Sequence, residues 1–420
     1  LTGESDTIAV AYSDVLGGQD SVITNDGSMN WGTGNIDVDP MFVDTANSNY
    51  HLMASSQLIN AGHPDSLDSD GSIADIGAYA YLNSYSGPDW FVETEGNDTT
   101  GTGESNSPFA SIQSAINFAT TDGDSVTVAA GTYVENINFR GRNIKVVGAD
   151  RETTIIDGDS SGSVVTLESG EDETTLLSGF TIKNGMALIG GGGGVYVVDS
   201  NPTLYNLIIS GNTTPNYGGG MQFTSSSPTL TNVTFSGNTA GTFGGGMQFT
   251  SSGPTLTNVT FSGNTANMGG GMQFAASSPT LTNVTFSGNT ANYGGGMHFN
   301  SSSSTLTNSI LWGNSPQEIY FYETGNPNSI TITYSDIQGG QESIVTNNNG
   351  TVTWGDGNID VDPLFVDSEN NDYHLTVDSR LIDAGHPDFT DADGTVSDMG
   401  AHYYDQAGQP VRVSNLITTP

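Results

Sequence analysis

Three consecutive glycines precede a methionine at Met221, Met247, Met272 and Met297, at spacings of 26, 25 and 25 residues. Inside each copy apolar and small polar residues alternate with the strand period of two rather than the helical period. Met221 and Phe223 flank Gln222, Val233 and Phe235 flank Thr234, and Leu230 lies between Thr229 and Thr231. Across copies these positions become columns: Phe223, Phe249, Phe274, Phe299; Leu230, Leu256, Leu281, Leu306; and Phe235, Phe261, Phe286, Leu311. Short strands separated by turns and recurring at this interval describe one rung of a parallel β-solenoid, in which each rung contacts only its neighbours. Like side chains then stand above one another about 4.8 Å apart.

A further column, Asn212, Asn238, Asn264, Asn289 and Asn314, suits a tight bend. There each amide can bond to its counterpart one rung away, satisfying backbone and side chain together. The glycine run supplies unusual backbone angles and close rung approach at another corner. "FSGN" followed by "GGGM" resembles the repeats of the polymorphic outer-membrane-protein and pectin-lyase-like right-handed β-helix families, most densely from Asn184 to Asn314, with Met where that pattern has Ala-Ile. The resemblance implies an all-β, right-handed parallel β-helix.

Upstream, Phe109, Ile112, Ala115, Ile116 and Ala119 share one face of a short expected helix, with Ser107 as its cap and Pro108 in its first turn. Such a helix would cover the open end of an apolar solenoid. "DSVTVAAGTYVENINF" reads as the first rung, and the whole stretch is similar to the opening segment of pectin-lyase-like β-helices.

A second, longer repeat is present. "WGTGNIDVDPMFVD" at Trp31 recurs as "WGDGNIDVDPLFVD" at Trp354, an offset of 323 that also links His51 to His374, His63 to His386 and Asp75 to Asp398. The expected organisation is therefore a closing module of a preceding unit (1–87), an opening segment with the cap helix (88–157), repeat rungs (158–322), a last rung with a second closing module (323–410), and a tail (411–420). "DTIAVAYSDV" corresponds to the last-rung strand "NSITITYSDI" without the rung that precedes it. Asp6, Thr7, Ile8, Ala9, Val10 and Ala11 are thus expected to pair with a rung of a neighbouring molecule or of an uncut precursor. The module pattern resembles the choice-of-anchor Q type region that closes many secreted bacterial β-helix proteins. That likeness implies secretion or surface display.

Seven basic residues against 46 acidic ones set a formal charge of −39, which repels nucleic acid and anionic membranes and favours cations. Cysteine is absent, so no disulfide framework is available, and no apolar run has transmembrane length. A composition rich in Thr, Asn, Ser and Gly and poor in lysine reads as extracellular and bacterial, and the start at Leu1 reads as excision from a longer precursor.

For metal binding the candidates are Asp68, Asp70 and Asp75 in "DSDGSIAD" and Asp391, Asp393 and Asp398 in "DADGTVSD". Alternating carboxylates before glycine suit Ca²⁺, while the plainer reading is a pair of Asp-rich turns capped by their own carboxylates. The repeated histidines read as packing or turn residues. His298, which replaces Gln222, Gln248 and Gln273 of its neighbours, reads as part of a solvent-facing column.

From Asn212 to Asn314 there is no Asp, Glu, Lys or Arg, so the face where β-helix lyases and hydrolases keep their chemistry carries no catalytic group. Exposed threonines, the Gln/His column and the stripe Tyr217, Phe243, Met268, Tyr293 offer contacts to surface glycans, the stripe reading equally as corner residues. The expectation is a non-catalytic extracellular structural or adhesive protein that self-associates end to end. The alternatives are a polysaccharide lyase or hydrolase and a glycan-binding module.

Overall fold

The computed structural model describes residues 6–188 and 190–406; the expected tail at 411–420 lies outside them. The chain divides into two compact units, residues 1–215 with 220–229, and residues 216–219 with 230–420. Both are built from parallel rungs, as a right-handed β-solenoid.

In the first unit three parallel ladders run side by side. One joins Asp89–Val92, Ser125–Val128, Lys145–Gly148, Leu176–Ser178 and Thr203–Ser210 in turn. A second joins Gly131–Val134, Thr154–Asp157, Thr181–Lys183 and again Thr203–Ser210. The third joins Ile137–Asn138, Val165–Leu167, Val195–Val198 and Met221–Thr224. Alternate residues such as Val126, Val128, Val146, Ile156 and Ile182 are fully buried, which is what a period-two pattern requires of a sheet with one inward face.

In the second unit Thr255–Ser262 pairs in register with Thr280–Ser287, which pairs on with Ser303–Thr307 and Ile310–Trp312. Met247–Thr250, Met272–Ala275, Met297–Asn300 and Ile319–Phe321 form its other main ladder. Exact register stacks the apolar columns: Phe235 on Phe261 at 4.8 Å between centroids, Phe261 on Phe286 at 4.6 Å, and Phe249 on Phe274 at 5.2 Å. Such offset or parallel ring pairs add to simple area burial.

Each long strand bends in its middle at an asparagine with left-handed backbone, φ 55° at Asn258, 53° at Asn283 and 52° at Asn308. The first two belong to a second side-chain ladder, Asn283 Nδ2 donating to Asn258 Oδ1 at 3.2 Å and Asn258 Nδ2 to Asn232 Oδ1 at 3.3 Å, while Asn308 accepts the His386 amide instead. At the glycine corner Gly269 has φ 68°, and a Cβ on Gly270 would lie 2.6 Å from the carbonyl oxygens of Gly295 and Thr290. Only glycine permits that approach.

The cap helix α1 spans Ile112–Phe118, shorter than expected. Its N-cap is Ser111, not Ser107, which instead bridges to Glu104 in the preceding loop. Phe109 is drawn out of the helix because its strand-like backbone bridges to Val92, leaving its ring buried all the same. Carboxylates from elsewhere hold the remaining free amides: Asp98 accepts from Ala110 and Ser111, and Glu135 accepts from Ile112 and Gln113 at 2.7 and 3.0 Å. Because Glu135 and Asp98 share the work, Ser111→Ala is expected to cost only about 1 kcal/mol, read from thermal unfolding of the full chain; a loss several times larger would mean that Ser111 alone organises the cap.

Candidate functional site

The asparagine column is a continuous ladder within the second unit. Asn238 Nδ2 donates to Asn264 Oδ1 at 3.0 Å, Asn264 Nδ2 to Asn289 Oδ1 at 2.9 Å, and Asn289 Nδ2 to Asn314 Oδ1 at 2.8 Å. Each backbone amide donates to the same acceptor, and the side chains of Asn264, Asn289 and Asn314 also donate to the carbonyls of Phe235, Phe261 and Phe286 one rung back. The ladder ends on Glu318, whose two carboxylate oxygens accept from the amide and the side chain of Asn314. Burial pushes Glu318 up to about 7, against the pull of those two hydrogen bonds. These bonds hold the backbone of successive rungs together.

Of the Gln/His column, Gln248, Gln273 and His298 are buried rather than solvent-facing, and Gln222 is half-buried. The glycine corner explains the difference, since Gly244 and Gly269 fold directly over the Cβ atoms of Gln248 and Gln273. His298 stacks on Tyr320 at 5.6 Å, and burial lowers it to about 4, so it is neutral near pH 7. What solvent meets beside that column is the stripe Tyr217, Phe243, Met268 and Tyr293, joined rung to rung by parallel bridges. Tyr217 and Tyr293 are exposed, while Phe243 and Met268 are half-buried.

In both closing modules the aspartates sit in tight turns. Asp68 Oδ2 accepts from the Asp75 amide, Asp70 accepts from Ser72 and Asn83, and Asp75 accepts from the amides of Asn60 and Tyr81. Asp391, Asp393 and Asp398 repeat the pattern with Asp398, Thr395 and Gln406, and with Asp383 and Tyr404. Burial, abetted by the neighbouring aspartates, raises Asp75 to about 6 and Asp398 to about 7. Among the described residues no group of three or more acidic or histidine side chains is arranged to hold a metal ion. The histidines serve turns and packing: His63 and His386 accept from the amides of Asp65 and Asp388, and their rings lie 4.7 Å from Tyr12 and Tyr334.

The second module is laid against the rungs of its own unit. The Ala401 amide donates to Thr285 Oγ1, His402 Nε2 bonds Thr260 Oγ1, and Asn308 receives the amides of His386 and Gly400. Ile310, Leu375, Leu381 and Met399 form the buried seam. A cleft of about 490 Å³ opens along it, bordered by Thr257, Asn283, Asp388, Phe389, Asp391 and Tyr403. Aromatic, amide and carboxylate groups line it together. Sequence spacing could not find it, because its two walls lie more than a hundred residues apart in the chain.

A family model described as the right-handed β-helix region matches residues 149–297. Among solved structures the chain is similar to pectate lyase Pel9A, with 17% identity over 75% of this chain and 96% of that one and a TM-score of 0.46. It is also similar to the pectin methylesterase of carrot, at 13% identity, 66% and 83% coverage and a TM-score of 0.28. No curated protein sequence matches it. The class shown is the β-helix itself; at these identities the two enzymes' activities do not pass to this chain.

Proposed function

We propose that this chain is a non-catalytic structural or adhesive element of a bacterial extracellular surface, built from tandem β-helix units of which the closing module is the repeated joint. The observation that carries the reading is the rung stretch 212–314, which holds no Asp, Glu, Lys or Arg and whose one histidine is buried and neutral. Uniform rungs give length and stiffness per residue, because each contacts only its neighbours. The FxxN-type and choice-of-anchor-type patterns point the same way, as does a strongly acidic, cysteine-free surface.

Ca²⁺ bound at the Asp68–Asp75 and Asp391–Asp398 turns would stiffen the modules further. A second reading, glycan binding, is favoured by the cleft between Phe389, Tyr403 and the threonine–asparagine face.

Electron microscopy of the native material tests the first reading: filaments or a sheath with an axial repeat matching one unit support it, and monodisperse single particles oppose it. Incubation with pectin, alginate and xylan is expected to release neither reducing ends nor unsaturated products. Cleavage of any of them would replace the structural reading with an enzymatic one.

A further inference from the structure

The two closing modules have the same internal geometry and are covered on opposite faces. In the first, the Met53 amide donates to Met41 O, the Ser56 amide to Met53 O, and Asn60 N to Asp75. In the second, Thr376 donates to Leu364 O, Ser379 to Thr376 O, and Asp383 N to Asp398, at distances within 0.1 Å of the first set. The serine of each turn also receives the same amide, Leu58 N in one and Leu381 N in the other.

The first module meets the cap segment of the unit that follows it. Asn117 Nδ2 of α1 donates to the carbonyls of Ala54 and Ser56, and Arg140 Nη1 donates to Ile59 O and to Asn117 Oδ1. The Ala54 amide donates to Asp98 O, and Asn60 Nδ2 donates to Asn117 O. Ala54 and Ile59 are completely buried there, whereas their counterparts Val377 and Ile382 are 44% exposed and half-buried.

The opposite face shows the reverse. Tyr373 is 5% exposed and Met399 1% against the module's own rungs, while Tyr50 is 47% exposed and Ile76 half-buried. Likewise Ile330 is buried between two rungs, but Ile8 is 51% exposed, because Thr7–Val10 pairs among the described residues with Ser28–Trp31 alone.

We infer that the closing module is a two-faced junction, and that the open face of the second module, at residues 377–383, is the docking site for the cap segment (88–140) of a further tandem copy of this unit. This rests on the tandem-array reading above. Each half of the interface is displayed once in this chain, so the occupant is read from the molecule itself. Four of the hydrogen bonds across the first junction end on main-chain atoms of the module, while Asn60, Tyr81 and Asn83 donate from their side chains to the carbonyls of Asn117, Gly101 and Thr102. Replacing Ala54, Ser55 and Gln57 by Val377, Asp378 and Arg380, with Ile59 kept as Ile382, therefore leaves the same main-chain groups in place. Two contacts change: Asn83, which donates to the Thr102 carbonyl, gives way to Gln406, and Asp383 has no side-chain amide to give the Asn117 carbonyl; in a docked copy Asp383 lies on the Arg140 side instead, where opposite charges attract.

The test is hydrogen exchange on the chain as it stands and on an extended chain in which Pro410 is followed by a second copy of residues 88–420. In the chain as it stands, amides at 54–60 exchange slowly and those at 377–383 faster. In the extended chain the first copy of 377–383 is expected to slow to the rate of 54–60, and Asn117→Ala in the appended copy to reverse that gain. Unchanged exchange at 377–383 in a folded extended chain overturns the inference. Should the extension not fold, Asn117→Ala in the original chain decides: it must speed 54–60 and leave 377–383 alone, and no effect on 54–60 overturns the junction. Filaments without added protection would discard the junction and keep the structural role; added protection in chains that never assemble would do the opposite.

Discussion

Asn289→Ala is expected to destabilise the second unit by about 3–5 kcal/mol. The side chain makes four hydrogen bonds: it accepts from the amide and the side chain of Asn264, and donates to Phe261 O and Asn314 Oδ1. Truncation leaves the Asn264 amide buried without that acceptor, and a buried orphan donor costs the full desolvation penalty rather than the smaller net worth of a bond. Asn267→Ala is the matched control. Its side chain accepts from Asn292 at 2.7 Å, but the pair is exposed, and water replaces what is lost. Denaturant titration of both variants checks the difference; equal losses would mean that the ladder is held by its backbone ladders alone.

Lowering the pH from 8 to 5 is expected to stabilise the second unit. Glu318 is raised from 4.5 to about 7 and Asp336 from 3.8 to about 7, both chiefly by burial, with Asp360, Asp362 and Glu318 adding repulsion at Asp336. A carboxyl raised in the folded state binds a proton there that the unfolded chain has released. Stability is therefore greatest below the unfolded values and falls as pH climbs toward about 7, then levels off. For Glu318 the full span is on the order of 3 kcal/mol, which for a unit of this size is roughly 2–4 °C of Tm per kcal/mol. Glu318→Gln removes the titrating group while keeping one acceptor for Asn314, so its Tm against pH should run shallower than that of the unchanged chain. Identical slopes would assign the dependence elsewhere.

The solenoid was legible because strand period and rung period coincide in the same residues. Phe223, Phe249, Phe274 and Phe299 repeat at the rung interval and are all fully buried. The second column, Asn232, Asn258, Asn283 and Asn308, of which the first three bond side chain to side chain, repeats just as regularly, yet nothing in its spacing distinguishes a left-handed bend inside a strand from an ordinary polar position. The sequence pattern puts the helix cap four residues too early, because Phe109 obeys two patterns at once and pairing with Val92 prevails over helical periodicity. Strand alternation assigns His298 to the outer face. Alternation cannot say that the glycine corner and Tyr320 close over that face.

What the amino-acid order alone determined is the local and periodic part: strands, rung interval, the stacked columns, and the existence of a module present twice. Those follow from contacts between residues about 25 positions apart, which repetition writes directly into the chain. What only the tertiary structure decided is what each module touches. Arg140 reaching Ile59, or His402 reaching Thr260, joins residues 81 and 142 positions apart. Two related copies of one sequence thus acquire different buried faces, because burial is a property of the neighbours a fold brings up and not of the segment that is buried.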